Sequence, residues 1–101
     1  MELWIGLVEL KPLDRQAYGA AGAFTNIVTW ASDPESFRRK ADTIAATLDM
    51  YVMDVEGAEP VADRAEQWSM TEEIDDLLSR AQSNPSAIVY GTFHSYLFDE
   101  A

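Results

Sequence analysis

The sequence predicts an α+β fold, a four-stranded mixed sheet with two helices on one of its faces. Three observations lead to this prediction. The 101 residues are 48% hydrophobic and 11% aromatic, which suits one core and therefore a single domain over residues 1–101. Four apolar or β-branched runs have the length of strands, and two other segments repeat apolar residues with the period of a helix. Along the chain these elements follow the order ββαβαβ.

The chain begins with two predicted strands. Leu3–Leu10 is rich in Leu, Ile, Val and Trp but is too short for a buried helix. Both of its faces are apolar, which places it inside the sheet. Pro12–Gly22 is predicted to be a loop, and Ala23–Trp30 is the second strand because of its β-branched and aromatic residues.

The first helix is predicted over Pro34–Leu48. Ser32 is the expected N-cap, since Glu35 follows three residues later, as a capping box requires. The apolar stripe of this helix consists of Phe37, Ala41, Ile44, Ala45 and Leu48.

The third predicted strand is Met50–Glu56, and Gly57–Ser69 is expected to be irregular. A second helix follows, capped by Ser69 or Thr71. It ends before Pro85, because the residue before a proline leaves the α region. The apolar stripe of this helix consists of Ile74, Leu77, Leu78 and Ala81.

Ala87–Leu97 is the fourth predicted strand, interrupted by Gly91. The two β-α-β connections are short, which favours parallel pairing with right-handed crossovers and an antiparallel first strand. Both helices then lie on the same face. This arrangement resembles a ferredoxin-like α+β sandwich in which the loop Pro12–Gly22 replaces the first helix.

The other face of such a sheet has no helix to cover it. Strand alternation puts Tyr90, Thr92, His94 and Tyr96 on that face. An exposed aromatic face predicts a homodimer interface or a ligand platform, and the homodimer is the preferred interpretation. The alternative is a small enzyme or ligand-binding protein, with a pocket that also includes Tyr18. Its weakness is the shortage of catalytic groups, since the chain has one histidine and no cysteine.

Charge is concentrated in one segment. The net charge is -11, and residues 54–76 hold nine acids but one base, Arg64. Such a field attracts basic partners, and an aromatic residue within a charged rim is a typical contact residue. The predicted partner-binding residues are therefore Asp54, Glu56, Glu59, Asp63, Glu66, Trp68, Glu72, Glu73, Asp75 and Asp76. The alternative is a solvated loop and a helix start, where acids favour the helix dipole.

Composition excludes several classes of function. The negative charge opposes binding to nucleic acid or to an anionic membrane. Without cysteine there are no disulfides, thiolate metal sites or cysteine nucleophiles. Asp54, Glu56 and Glu59 could hold a hard cation, but they lack the spacing of a calcium loop, so we expect no metal or cofactor.

The sequence thus favours an acidic, non-enzymatic interaction module that presents residues 54–76 to a basic protein surface. Inhibitors, immunity-type proteins and regulatory adaptors share this size and sign of charge. The lack of cysteine and of a recognisable secretory leader fits a cytoplasmic location.

Overall fold

A computed structural model of the chain describes residues 1–14, 16, 19–67 and 71–97. Within these ranges the chain forms five strands and three helices, so the α+β class is confirmed. In chain order the elements are β1 (Glu2–Pro12), β2 (Gly22–Ala31), α1 (Pro34–Thr47), β3 (Met50–Pro60), α2 (Val61–Gln67), α3 (Glu72–Gln82), β4 (Ile88–Tyr90) and β5 (His94–Tyr96).

The sheet is antiparallel, with the strand order β3-β1-β2-β4, and β5 also pairs with β2. As predicted, β1 is an inner strand. The predicted mixed sheet is wrong, because every pairing among the described strands is antiparallel. The reason is that β1 lies between β2 and β3. The two strands that α1 connects are therefore not neighbours in the sheet and do not pair with each other. The strand order is consequently not the ferredoxin-like one.

The β1–β2 hairpin forms the centre of the sheet and has an unbroken register from Glu2↔Ala31 to Leu10↔Ala23. Successive side chains of a strand point to opposite faces. Trp4 and Ile27 therefore share one face, while Ile5 and Val28 share the other. All four are buried, so both faces of the hairpin need a cover.

α1 covers the first of these faces. Phe37, Ala41 and Ala45 are completely buried in one cluster with Trp4 and Ile27. The Phe37 ring lies directly over Gly6, where an added Cβ would come within 2.9 Å of two ring atoms. Glycine at that position is what lets the helix approach the strand closely.

α2 and α3 cover part of the opposite face. Leu77 and Ala81 of α3 are buried against Ile5 and Val28, and Val61 of α2 packs on the edge of the same cluster. The prediction that both long helices lie on one face is therefore wrong. Such an arrangement would leave one apolar row of each central strand in water.

The N-cap of α1 is Asp33 and not Ser32. Asp33 Oδ1 accepts a 2.7 Å hydrogen bond from the Ser36 N–H, and Ser36 Oγ accepts one from the Asp33 N–H. Proline forces the preceding residue into an extended conformation, which makes Asp33 the last non-helical residue before Pro34. This cap lowers the pKa of Asp33, mainly through the hydrogen bond from the Ser36 backbone.

The segment predicted to be irregular is instead ordered over its described part. β3 continues to Pro60, and α2 follows immediately. Gly57 does not end the strand. With φ of +62° it occupies an irregular register between Glu56 and Glu59, as glycine does in many β-bulges. α3 begins after Thr71, whose hydroxyl accepts from the Ile74 N–H at 3.2 Å, so that predicted cap is confirmed.

The interruption at Gly91 is confirmed, but it changes which faces the side chains occupy. Tyr90 pairs with Ile27, and His94 pairs with Phe24. The chain therefore has one residue more between Tyr90 and His94 than β2 has between their two partners. The extra residue reverses the alternation. Tyr90 lies on the α1 side, stacked on Phe93 with the ring centroids 5.3 Å apart, whereas His94 lies on the other side.

None of the helices in the described ranges has the length and apolar character needed to cross a bilayer.

Candidate functional site

The acidic residues of segment 54–76 lie on one side of the sheet. Asp54, Glu56 and Glu59 of β3 pair in register with Glu9, Leu7 and Ile5, which places them on the face that α2 and α3 cover. The helices of that layer carry the others. We call the whole set the acidic layer, and it consists of Asp54, Glu56, Glu59, Asp63, Glu66, Glu72, Glu73, Asp75 and Asp76.

Glu59 has a structural partner. It accepts a hydrogen bond from the Arg64 Nε, and Arg64 Nη2 donates to the Gly57 carbonyl at 2.8 Å. Arg64 thereby ties α2 to the bulged part of β3. The one base of segment 54–76 is engaged within the fold.

Two acids of α3 also have partners. Glu73 Oε1 accepts from the Thr92 N–H at 2.7 Å and so fixes the link between β4 and β5 to the helix. Asp76 forms an exposed i,i+4 ion pair with Arg80 at 2.9 Å. Exposed pairs of this kind contribute little to stability.

The remaining six acids are exposed, and within the described part of the chain they form no hydrogen bond or ion pair through their side chains. They are Asp54, Glu56, Asp63, Glu66, Glu72 and Asp75. No donor from the described residues replaces the water around these carboxylates. They are therefore available for contact with a partner of opposite charge.

The opposite layer differs in charge. α1 holds three bases and two acids, and Arg38 lies 3.8 Å from Asp42 while its Nη2 donates to the Val52 carbonyl. On α2 and α3 together there are six acids and two bases. The two helical layers thus have different electrostatic character.

Part of the acidic side is not covered by any helix of the described residues. Among the described elements, β5 contacts β2 and no helix. The side chains there are half-buried or exposed and lie beyond the Ile5–Val28 core. We call this region the open half-face, and it consists of Leu7, Glu9, Phe24, Asn26, His94 and Tyr96.

Glu9 is a site residue that the sequence patterns did not indicate. The Tyr96 hydroxyl donates to its carboxylate, and Asp54 lies directly opposite it on β3. The signal that could have found it was an acid within an otherwise apolar inner strand, since ionised groups are uncommon in such strands.

The residues of the alternative ligand pocket are divided between two faces. Tyr90 lies on the α1 side, His94 and Tyr96 lie on the open half-face, and Thr92 is exposed in the link between the strands. Tyr18 lies outside the described residues, as does Trp68 of the predicted partner-binding set.

A cavity of about 210 Å³ opens on the α1 side, at the end of the sheet. Among the described residues its lining is mostly apolar and contains no titratable side chain, so these residues supply no acid or base for catalysis. The lining residues are Pro12, Ala20, Gly22, Ala23, Met50, Phe93 and Ser95.

In the ranges that the structure describes, no group of three or more histidine, aspartate or glutamate side chains is arranged to hold a metal ion. In particular, Glu59 is directed to Arg64 and does not converge with Asp54 and Glu56 on one point.

No protein family, curated protein or solved structure shows a significant match to this chain.

Proposed function

We propose that the chain is a non-enzymatic protein-interaction module whose acidic layer binds a basic surface of a partner protein. The observation that supports this most is the set of six exposed carboxylates without a described partner on one side of the sheet. A field of one sign accelerates the encounter with an oppositely charged surface and disfavours partners of the same sign.

Helix stabilisation accounts for only some of these acids. Glu72 and Asp75 lie in the first turn of α3, where negative charge is favourable. That explanation does not reach Asp54 and Glu56, which lie on a strand, or Glu66, which lies in the last turn of α2. An acid near a helix C-terminus is unfavourable for the dipole, so its presence fits a role outside the fold.

The proposed partner is a protein, because the phosphates of nucleic acids and of anionic lipids would be repelled by a chain of net charge -11. Inhibitors, immunity-type proteins and regulatory adaptors are the classes that fit, and the proposed location is the cytoplasm. Homodimerisation remains a prediction, and sedimentation of the chain at several concentrations tests it.

The test compares two variants with equal changes in charge. The first neutralises four acids of α2 and α3, and its substitutions are Asp63→Asn, Glu66→Gln, Glu72→Gln and Asp75→Asn. The second neutralises four exposed acids elsewhere, and its substitutions are Glu2→Gln, Asp14→Asn, Glu35→Gln and Asp49→Asn. Asparagine is well tolerated at position 49, where φ is +56°.

Both variants and the unmodified chain are used to capture proteins from a lysate of the native host, after circular dichroism has shown that they fold. We expect the first variant to lose a captured basic protein and the second to retain it. Binding should also weaken between about 0.02 M and about 0.15 M salt, as the screening length shortens. Equal retention by both variants, or capture that salt does not change, would contradict the proposal.

A further inference from the structure

The open half-face combines aromatic rings with carboxylates. Phe24 and Tyr96 form a tilted pair with centroids 5.7 Å apart, and both are half-buried, so part of each ring faces solvent. Gly22 lies beneath the Tyr96 ring and leaves space for its hydroxyl to reach Glu9. Tyr96 is thus held in place by a contact to β1 and a contact to β2.

Three carboxylates lie on the same face of the sheet as these rings. Glu9 lies opposite Asp54 in register, and Glu56 lies one row further along β3. Directly opposed residues in an antiparallel pair have their Cβ atoms about 5 Å apart, and like charges at that separation repel. A cation between Glu9 and Asp54 would relieve the repulsion. Lys11 supplies one positive charge on the same face, fewer than the three carboxylates.

This combination favours arginine over lysine. A guanidinium is planar, stacks on aromatic faces and binds carboxylates through two parallel hydrogen bonds, whereas an ammonium is a compact and strongly hydrated charge. The strands from β3 to β5 span roughly 14 Å, at about 4.8 Å for each neighbouring pair. That width accommodates more than one side chain, which indicates a protein segment as the occupant.

We propose that the open half-face receives an arginine-bearing segment of the basic partner, with guanidinium groups stacked on Phe24 and Tyr96 and paired with Glu9. This inference rests on the proposed function and adds the residue type that the partner presents. Charge complementarity selects this occupant over a second copy of the chain, which would bring the same carboxylates to the interface.

The test uses two probes, a short peptide of alternating arginine and serine and its lysine counterpart. Their affinities are measured by calorimetry at about 0.05 M salt, where the Debye length is still longer than about 10 Å. We expect the unmodified chain to prefer the arginine peptide by roughly threefold or more, the effect of a stacked cation at an exposed site.

Each substitution in the open half-face has a matched control. Phe24→Leu should reduce the preference for arginine, because only the Tyr96 ring then remains for stacking, while Phe93→Leu, which removes a ring from the opposite face, should leave it unchanged. Glu9→Gln should lower the affinity for both peptides by roughly threefold or more. Glu2→Gln, which makes the same charge change on the same strand, should not lower it.

The outcomes separate this inference from the proposed function. Equal affinity for the two peptides, or equal effects of Phe24→Leu and Phe93→Leu, would overturn the inference. If neutralising the acids of α2 and α3 nevertheless abolishes capture of the basic partner, the proposed function stands without it. If no variant lost either the preference for the arginine peptide or the capture of the basic partner, both the inference and the proposed function would be contradicted.

Discussion

Helices pack on both sides of the sheet, but the two sides differ in their buried clusters and in their charge. On one side α1 extends over the sheet, buries Phe37, Ala41 and Ala45, and carries nearly balanced charge. On the other side the buried cluster is smaller, part of the face is open, and acids predominate. Like charges that remain unpaired weaken a fold. The difference predicts that the α1 side supplies most of the stability, and it is consistent with the proposal that the acidic side binds a partner protein.

The largest expected effect is that of Phe37→Ala on the α1 side. Phe37 is completely buried, and its removal leaves a cavity over Gly6. We expect the free energy of unfolding to fall by about 3–5 kcal/mol, measured by urea denaturation. Arg39→Ala on the exposed face of the same helix is the control and should change it by less than about 0.5 kcal/mol. A loss below about 1 kcal/mol for Phe37→Ala would contradict this assignment of stability.

The matching substitution on the acidic side is Leu77→Ala. Leu77 is also completely buried, but the cluster around it has only a few fully buried members and many half-buried neighbours that can close over the space. We expect a loss of about 2–3 kcal/mol, smaller than for Phe37→Ala. Ser79→Ala on the exposed face of α3 serves as the control. An equal or larger loss at Leu77 would contradict the prediction that the α1 side supplies most of the stability.

Trp30→Phe tests how α3 is held. The Trp30 Nε1–H donates to the Ala81 carbonyl at 2.9 Å and to the Asn84 carbonyl at 3.2 Å, which satisfies acceptors at the end of the helix. Phenylalanine keeps an aromatic ring but loses the donor, at a cost of about 1 kcal/mol. The rate of amide hydrogen exchange should rise more in the last turn of α3 than in α1. An equal rise in both helices would contradict a local role for this hydrogen bond at the end of α3.

The smallest effect concerns the cap of α1. Its hydrogen bonds hold the pKa of Asp33 below the usual value of 3.8. The carboxylate therefore stabilises the fold above the unfolded-state pKa, and that contribution disappears as the pH falls through the lower folded-state pKa. Asp33→Asn keeps the oxygen acceptor and removes the charge.

The difference in melting temperature between Asp33→Asn and the unmodified chain should be constant from neutral pH to about pH 5 and should shrink below about pH 4. Using the difference cancels the titration of the other acids. A difference that does not change with pH would show that the charge of Asp33 contributes nothing to the cap.

Local signals in the sequence predicted most elements but not how they assemble. Helical spacing and Thr71 located α3, and the apolar run from Leu3 located an inner strand. The faces covered by the helices were predicted wrongly, although both rows of β1 are apolar, because pairing depends on contacts between distant residues. Gly57 was interpreted as a strand end, since a bulge and a turn use the same positive φ.

For the candidate site, the sequence identified the acidic segment but not its neighbour Glu9. That residue joins the site only because β3 returns beside β1 in a bulged register. Likewise, one extra residue after Tyr90 separates it from His94, and an uninterrupted alternation could not reveal this. Long-range register therefore decides which residues of this chain lie together.

The proposed function depends on where a cationic protein segment contacts the molecule. Amide-resolved NMR of the unmodified chain, titrated with the arginine–serine peptide at about 0.15 M salt, measures this residue by residue. We predict that the shifts fall on residues 54–67 and 71–76 and on the open half-face, and that the amides of α1 stay unchanged. Shifts that are equally large along α1, or no saturable shifts on the acidic side, would contradict binding at the acidic layer.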